Sequence, residues 1–255
     1  MPIVKNPGQL AAVYKAAKEI LAAGDIPTRI IPANTFIFRF VHLEYLPEPA
    51  PGGHVSKMTA YAAVQSRDQD GGKNRWSGAS LNLNVPNSGG IYFSLQQQAL
   101  VNEMRHLALV NKMKYPVGIL QIRVNQVLKL VDLSETNPQS RDFAGRVIRA
   151  AGLLPPTAYP PFSAVQWRRF FGDDDCSVPR GLGLAVAASE IYQGIIAPTV
   201  RLSERSEFER GDNLVLYAPD GIPYPGLIAE AAFFTPGGHF FGADLGMTKY
   251  PVQFP

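Results

Sequence analysis

The chain has few of the residues that disulfides and metal sites require. Its 255 residues include one cysteine, Cys176, and four histidines. A single cysteine cannot form an internal disulfide, and no cysteine and histidine stand at zinc-ligand spacing, so no metal site is predicted. A lone cysteine is typically a small buried residue, which makes a cysteine nucleophile a poor hypothesis.

Long apolar runs and runs of like charge are also missing. Lys5, Lys15 and Lys18 interrupt the region where a signal peptide needs its apolar core, and no run reaches the roughly 18 apolar residues of a membrane span. The 24 basic and 21 acidic side chains leave a net charge of +3, too little to indicate nucleic-acid binding. We expect a cytoplasmic protein without membrane or nucleic-acid partners, whose export, if any, uses no cleavable signal.

Common nucleotide and esterase motifs are incomplete. Gly72-Lys73 lacks the upstream glycine and the following hydroxyl of a phosphate-binding loop. Gly181-Leu-Gly183 has Val186 where a dinucleotide fingerprint needs its third glycine, so we interpret it as a helix entry. The chain contains no G-x-S-x-G esterase elbow.

The length and composition fit one large domain with both helices and strands. The hydrophobic fraction of 46% and charged fraction of 18% exclude a disordered chain or a coiled coil. The 23 glycines and 22 prolines cluster between periodic segments and predict long loops. Hydrophobic periodicity predicts helices at 9–23, 95–113, 139–151 and 182–190, strands at 35–41, 118–124, 127–133, 194–200 and 213–218, and a further apolar stretch at 227–234.

Five polar or aromatic residues suggest a dinucleotide site. Arg39 lies between Ile37 and Val41 on one face of a predicted strand, and Arg75 lies in a polar loop. Two guanidinium groups suit a diphosphate, because each makes charge-assisted, often bidentate bonds to phosphate oxygens. The remaining three candidates are Tyr92, Glu103 and Thr199.

These three candidates would serve the rest of the dinucleotide. Tyr92 supplies a stacking face, and Thr199 supplies a hydroxyl. Glu103 falls in the middle of the apolar arc of the 95–113 helix, so its carboxylate is predicted to face inward. Together the residues predict a dinucleotide held for attack at its ribose.

The same residues stand in segments that resemble the RES-domain family. The segments are FRF around Arg39, RWSG at 75–78, GGIYFSLQQQALVNE at 89–103, and YQGIIAPTVR followed by NLVLYAP. The most specific part is a tyrosine followed eleven residues later by a glutamate on a helix. The resemblance covers about residues 36–218 of a single RES-like domain, leaving the helix at 9–23 and a C-terminal extension at 219–255 outside the match.

The resemblance implies an α+β fold similar to ADP-ribosyltransferases and diphtheria-toxin-like domains, with a mixed sheet surrounded by helices. It also implies NAD+ as substrate and no metal, with Glu103, Arg75 and Tyr92 as catalytic residues. Arg39, Arg75, Tyr92 and Thr199 would bind the dinucleotide. Family members include bacterial toxins that degrade NAD+ by hydrolysis or phosphorolysis, which implies a cognate antitoxin or immunity protein.

Two departures from the family pattern stand out. Thr199 occupies the place of the family serine, and Ser203 is the alternative hydroxyl. The stretches between Arg39 and Arg75 and between Arg75 and Tyr92 are longer than in compact members, which suggests a diverged branch or an exported effector.

Two other functions stay open at this point. The same pocket would suit a mono-ADP-ribosyltransferase that modifies a target protein. A non-catalytic binding scaffold would keep the fold without consuming NAD+. The sequence does not distinguish water, phosphate and a protein side chain as the acceptor.

Overall fold

The computed structural model describes residues 4–42, 75–77, 85, 88–96, 100, 117–134, 137–155, 163–172, 175–198, 212–218, 227–236 and 247–253. The helices are α1 (Pro7–Ala23), α2 (Pro138–Ala150), α3 (Ala164–Trp167), which continues into a π-helical turn at Arg168–Gly172, and α4 (Ser177–Ser189). The strands are β1 (Thr28–Ile31), β2 (Phe36–His42), β3 (Gly89–Ser94), β4 (Val117–Val124), β5 (Leu128–Asp132), β6 (Gly194–Pro198), β7 (Asp212–Ala218), β8 (Leu227–Pro236) and β9 (Met247–Gln253). Among the described helices, none has the length and apolar character to span a membrane.

Helices α1 and α2 begin in the same way. The side chains of Asn6 and Asn137 accept hydrogen bonds from the backbone N–H groups of Gln9 and Gln139, and a proline follows each asparagine. Asparagine satisfies an N–H that has no partner within the helix, and proline lacks the N–H that the first turn cannot pair. The helices predicted at 9–23 and 139–151 are therefore confirmed to within two residues at each end.

Helix α4 begins five residues earlier than the sequence pattern predicts. Pro179 lies in its first turn, where the N–H groups have no partner within the helix, so the proline is tolerated. The interpretation of Gly181 and Gly183 as a helix entry is wrong, since both lie inside the helix. A β-carbon at Gly181 would lie 2.6 Å from the carbonyl oxygen of Leu10, so this glycine allows α1 and α4 to pack closely.

The nine strands form one mixed sheet in the order β1-β5-β6-β7-β3-β2-β4-β8-β9. Strands β5 and β6 are parallel and all other neighbours are antiparallel. The predicted strands at 35–41, 118–124, 127–133 and 213–218 are confirmed with small differences in their ends, and the strand at 194–200 is confirmed over Gly194–Pro198, its last two residues lying outside the described residues. The apolar stretch at 227–234 lies within β8, whereas the sequence analysis did not predict β1 or β9.

The sheet curls because one long ribbon joins its two halves. Strand β1 pairs with β5, and β2 pairs with β4. The N–H of Asn34 donates to the carbonyl of Val124 at 2.6 Å, and the N–H of Val124 donates to the carbonyl of Thr35 at 2.9 Å. Residues 28–42 and 117–132 therefore run antiparallel over their whole length. This connects the pair β1–β5, at one end of the sheet order, with the pair β2–β4 near the other end.

Alternation along the strands creates two buried faces. The first face carries Val131, Ile195, Val215 and Tyr217, and it packs against α1, α2 and α4. The second face carries Ile91 and Phe93 of β3, Leu130 of β5, and Leu214 and Leu216 of β7, all of them buried. The chain is thus α+β in class, with a curled mixed sheet and helices against one face.

Candidate functional site

The segment at residues 75–77 lies between α4 and the first face of the sheet. A β-carbon on Gly183 of α4 would lie 2.0 Å from the carbonyl oxygen of Trp76, and one on Gly90 of β3 would lie 2.3 Å from Oγ of Ser77. Side chains cannot be accommodated at these distances, so glycine permits the close approach on both sides. The second and third residues of the RWSG motif, Trp76 and Ser77, therefore have fixed positions against the core.

Two tyrosine hydroxyls hold the main chain of Trp76. The N–H of Trp76 donates to the hydroxyl of Tyr92 at 2.8 Å, and the hydroxyl of Tyr217 donates to the carbonyl of Trp76 at 3.1 Å. Tyr217 pairs with Gly90 across the β3–β7 ladder, and Tyr92 follows two residues later on the same face of β3. We name this arrangement of Tyr92, Tyr217 and the Trp76 main chain the Trp76 clamp.

The π-helical turn at Arg168–Gly172 accepts a hydrogen bond from the guanidinium of Arg75. Its Nη1 donates to the carbonyl oxygen of Phe171 at 2.9 Å, in a partly buried environment. The ring of Phe171 also stacks on Trp76, with centroids 5.6 Å apart and an interplanar angle of 15°. Phe171 therefore contacts both the guanidinium of Arg75 and the indole beside it.

Two arginines influence the thiol of Cys176. Burial raises the pKa of this thiol, while the positive charges of Arg180 and Arg75 oppose part of that effect. Cys176 is fully buried at the start of α4, and Arg180 lies one turn further along the helix with 3% of its surface exposed. A buried thiol with a raised pKa stays protonated, so the geometry agrees with the expectation that Cys176 is not a nucleophile.

Arg39 lies on the other face of the sheet from Tyr92. Its guanidinium carbon is 6.0 Å from the ring centroid of Phe93, and adjacent residues of a strand point to opposite faces. The described residues thus bring the segment of Arg75 to Tyr92 through the main chain of Trp76, while the Arg75 guanidinium lies on the Phe171 carbonyl, and they place Arg39 on the face that carries Phe93.

A second polar cluster lies at the end of β5 and the start of β7. The hydroxyl of Ser134 donates to Asp132 and, at 3.3 Å, to Asp212. Arg29 of β1 forms an ion pair with Asp212 at 3.3 Å. Burial raises the pKa of the Asp212 carboxyl and the charge of Asp132 adds to this, while Arg29 opposes it.

This cluster adjoins the end of strand β6. Asp212 pairs with Pro198, the residue before the predicted hydroxyl at Thr199. Within the described ranges, histidine, cysteine and carboxylate side chains do not gather in groups of three or more that could hold a metal ion.

Three of the predicted site residues lie outside the described residues. They are Glu103, Thr199 and the alternative hydroxyl Ser203. The predicted helix at 95–113 also lies outside them, apart from residues 95, 96 and 100. The roles of these residues stay predictions.

Tyr217 and Phe171 contact the site although the sequence pattern predicts no role for them, and Gly183 was expected only at a helix entry. Tyr217 reaches Trp76 across 141 residues of chain, and Arg75 reaches Phe171 across 96. Local periodicity carries no signal for such contacts. The NLVLYAP segment that contains Tyr217 was quoted for its resemblance, which was the one available signal.

No protein-family model matches the chain, and no curated protein matches it. The resemblance to RES-domain proteins rests on the sequence motifs alone.

Proposed function

We propose that the protein is an NAD+-degrading enzyme of the RES-domain type, with a fold similar to ADP-ribosyltransferases, that cleaves the bond between nicotinamide and ribose. The observation that carries this proposal is the hydrogen bond between Trp76 and Tyr92. It joins the arginine motif RWSG to the tyrosine motif GGIYFS, which are separate in the chain. Two of the motifs named by the resemblance are thus in contact through the main chain of Trp76 and the side chain of Tyr92.

Arg75 is the proposed diphosphate ligand. A guanidinium carries five N–H donors in a planar fork, so it can hold the Phe171 carbonyl and phosphate oxygens at the same time. Its partly buried position strengthens a charge-assisted bond, because the effective dielectric constant is lower there than in water. Arg39 lies against Phe93, on the opposite face of the sheet from Tyr92. Its role as a second diphosphate ligand therefore stays a prediction.

Tyr92 is the proposed nicotinamide contact. Its hydroxyl accepts the Trp76 N–H, which fixes the direction of the ring, and the side chain is half-buried. A preoriented ring loses little conformational freedom when an aromatic ligand stacks on it. This is an advantage for a substrate whose leaving group is itself an aromatic ring.

The proposed reaction breaks the C1′–N bond and leaves the electron pair on the nicotinamide nitrogen. Positive charge develops on the ribose, as in the oxocarbenium-like transition state of glycosidases. Water or phosphate then forms the new C1′–O bond, with loss of a proton when water attacks. Glu103 is assigned by the resemblance to stabilise the developing cation with its carboxylate.

The test is a timed incubation of the purified protein with NAD+, with and without phosphate. Nicotinamide, ADP-ribose and ADP-ribose phosphate are quantified by chromatography, and transfer to protein is followed with labelled NAD+ in a cell lysate. We expect nicotinamide release, and we expect it to fall on the order of a hundredfold in Glu103→Gln, the usual loss for one preorganised electrostatic group.

Glu190→Gln is the matched control, since Glu190 is an exposed carboxylate at the end of α4. It is expected to retain the wild-type rate. Labelled protein with negligible free ADP-ribose would indicate a mono-ADP-ribosyltransferase instead. If folded protein consumes no NAD+, alone or in lysate, the non-catalytic binding scaffold is the function that remains.

A further inference from the structure

We propose that Tyr217 is a positioning residue that acts through the Trp76 carbonyl to hold Arg75 where it binds the diphosphate of the ligand. The inference rests on the proposed function, and it assigns a role to Tyr217, which stands in the NLVLYAP segment but is not among the site residues that the resemblance implies. Tyr217 itself is 6% exposed and lies beneath the segment that carries Arg75.

The first step concerns the position of the Trp76 main chain. The Tyr217 hydroxyl donates to the carbonyl of Trp76, and Gly183 of α4 packs against both groups, since a β-carbon there would lie 2.0 Å from the carbonyl oxygen and 2.5 Å from the hydroxyl. The Tyr92 hydroxyl accepts the N–H of the same residue. Both polar groups of the Trp76 main chain are thus bonded to side chains of the sheet.

The second step concerns Arg75 itself. Its main chain adjoins the N–H that Tyr92 holds, and its guanidinium donates to the Phe171 carbonyl. Because the Trp76 ring also stacks on Phe171, a shift of Trp76 moves both attachments of Arg75 together. Loss of the Tyr217 hydroxyl leaves a buried carbonyl without this donor, and the segment must move to find another.

The kinetic consequence distinguishes positioning from a general structural role. Arg75 is proposed to contact the diphosphate, which does not change during cleavage, so its bond contributes equally in the ground and transition states. Weakening such a bond raises KM and leaves kcat unchanged. A general loss of folded protein lowers kcat in proportion to the active fraction and leaves KM unchanged.

The experiment compares wild type, Tyr217→Phe, Arg75→Ala, the double variant, and Tyr192→Phe. Tyr192 is a matched control: it is a largely buried tyrosine, 9% exposed, whose ring lies beneath Lys129 at 5.0 Å. Thermal unfolding establishes that each variant is folded. KM and kcat are measured with NAD+, and the Kd of ADP-ribose is measured by calorimetry as a readout that needs no turnover.

We expect Tyr217→Phe to raise KM and the ADP-ribose Kd about tenfold, the effect of losing one good hydrogen bond at the ligand, with kcat unchanged. In the Arg75→Ala background the same substitution is expected to have no further effect on either constant, because the residue acts through Arg75. Tyr192→Phe is expected to match wild type.

Three results would overturn the inference: an unchanged KM and Kd in Tyr217→Phe, a fall in kcat alone, or equal effects of Tyr217→Phe with and without Arg75. If wild type consumes no NAD+ but binds ADP-ribose in a way that depends on Arg75 and Tyr217, the positioning role stands and the proposed reaction fails. Absence of both turnover and binding overturns both proposals.

Should Tyr217→Phe fail to fold, Gly183→Ala takes its place, because its β-carbon would lie too close to both partners of the same hydrogen bond, the Trp76 carbonyl oxygen at 2.0 Å and the Tyr217 hydroxyl at 2.5 Å. It is expected to raise KM in the same way. Failure of both variants to fold would show that the contact serves the fold alone, and would overturn the inference.

Discussion

At the scale of single residues, burial and local hydrogen bonds compete to set the pKa of two partly buried carboxyls, Asp212 and Asp175. Asp212 is held by Ser134 and by Arg29, yet burial and the charge of nearby Asp132 raise its pKa above the ordinary value of 3.8. The opposite holds for Asp175. Burial acts against its ionisation as well, but hydrogen bonds from Ser177 and Lys5 and the positive charge of Lys5 together lower the pKa.

The raised pKa of Asp212 predicts how stability changes with pH. The folded state favours the protonated carboxyl, so its contribution is fully present below the ordinary value of 3.8 and is lost as pH rises through the folded pKa. Urea unfolding of wild type and Asp212→Asn between pH 3 and pH 7 measures this. We expect the free energy of unfolding of wild type to fall relative to that of the variant as pH rises.

Asp175→Asn provides the control with the opposite sign. Because the pKa of Asp175 is lowered, its contribution to stability is present above 3.8 and is lost as pH falls through the folded pKa. The account of Asp212 would be contradicted if the free energy of unfolding of wild type, relative to that of Asp212→Asn, stayed constant or rose as pH rises.

The site shows which residue contacts a sequence can and cannot reveal. Arg75 and Tyr92 were named from residue type and motif, and the fold brings their segments together. Tyr217 and Phe171 were not named, because each reaches the site through a hydrogen bond that depends on tertiary structure. Phe171 accepts this bond with its main-chain carbonyl, a group that every residue has, so the residue type gives no hint of the contact.

At the scale of elements, the strongest local signals were predicted well. Helix α1 combines a cap, a proline at its first position and buried Leu10, Val13 and Leu21 at helical spacing. Strand β1, with only four residues and a mostly exposed pattern, gives no alternation long enough to detect. Helix α4 begins at Ser177, five residues before the predicted start, and Pro179 is compatible with this because it lies in the first turn.

Gly183 of α4 offers a test of the contact between this helix and Trp76. Alanine there would place a β-carbon 2.0 Å from the Trp76 carbonyl oxygen, so we expect a loss of about 1–3 kcal/mol of stability from overpacking. Thermal or urea unfolding measures the change.

Gly8→Ala is the matched helical control. A β-carbon at Gly8 in α1 meets its nearest neighbour, the side-chain oxygen of Asn6, at 3.4 Å, an ordinary contact. Alanine is favoured over glycine in helices by up to about 1 kcal/mol, so this variant is expected to be neutral or more stable. Equal stabilities of the two variants would contradict the close packing of α4 on Trp76.

At the scale of the whole molecule, the N-terminal helix α1, which lies outside the segments of the resemblance, belongs to the same hydrophobic core as α4 and the sheet. Helix α1 packs along α4, where Gly181 approaches the Leu10 carbonyl, and the N–H of Asn6 donates to Ser177 at 3.0 Å. The same α4 presents Gly183 to the Trp76 clamp. The N-terminal helix, the central sheet and the candidate site are thus connected through one buried helix.

The order of the sheet is the part of the fold that the sequence could not reveal. Strands that follow one another, such as β2 and β3, are neighbours, but β1 pairs with β5 and β3 pairs with β7 across long intervals. Alternation identifies strands without identifying their partners. Only the assembled sheet places Tyr92 beside Tyr217 and Arg39 on the opposite face from them.

The most direct measurement is the kcat/KM for NAD+ of wild type, Arg75→Lys and Arg146→Lys. Lysine keeps the charge of Arg75 but loses the planar fork that holds the Phe171 carbonyl and a phosphate together. Arg146 is an arginine of α2 that pairs with Asp142 and serves as the matched control. We predict a loss of about tenfold or more in Arg75→Lys and none in Arg146→Lys; equal values for all three proteins, or no nicotinamide from wild type, would contradict the account.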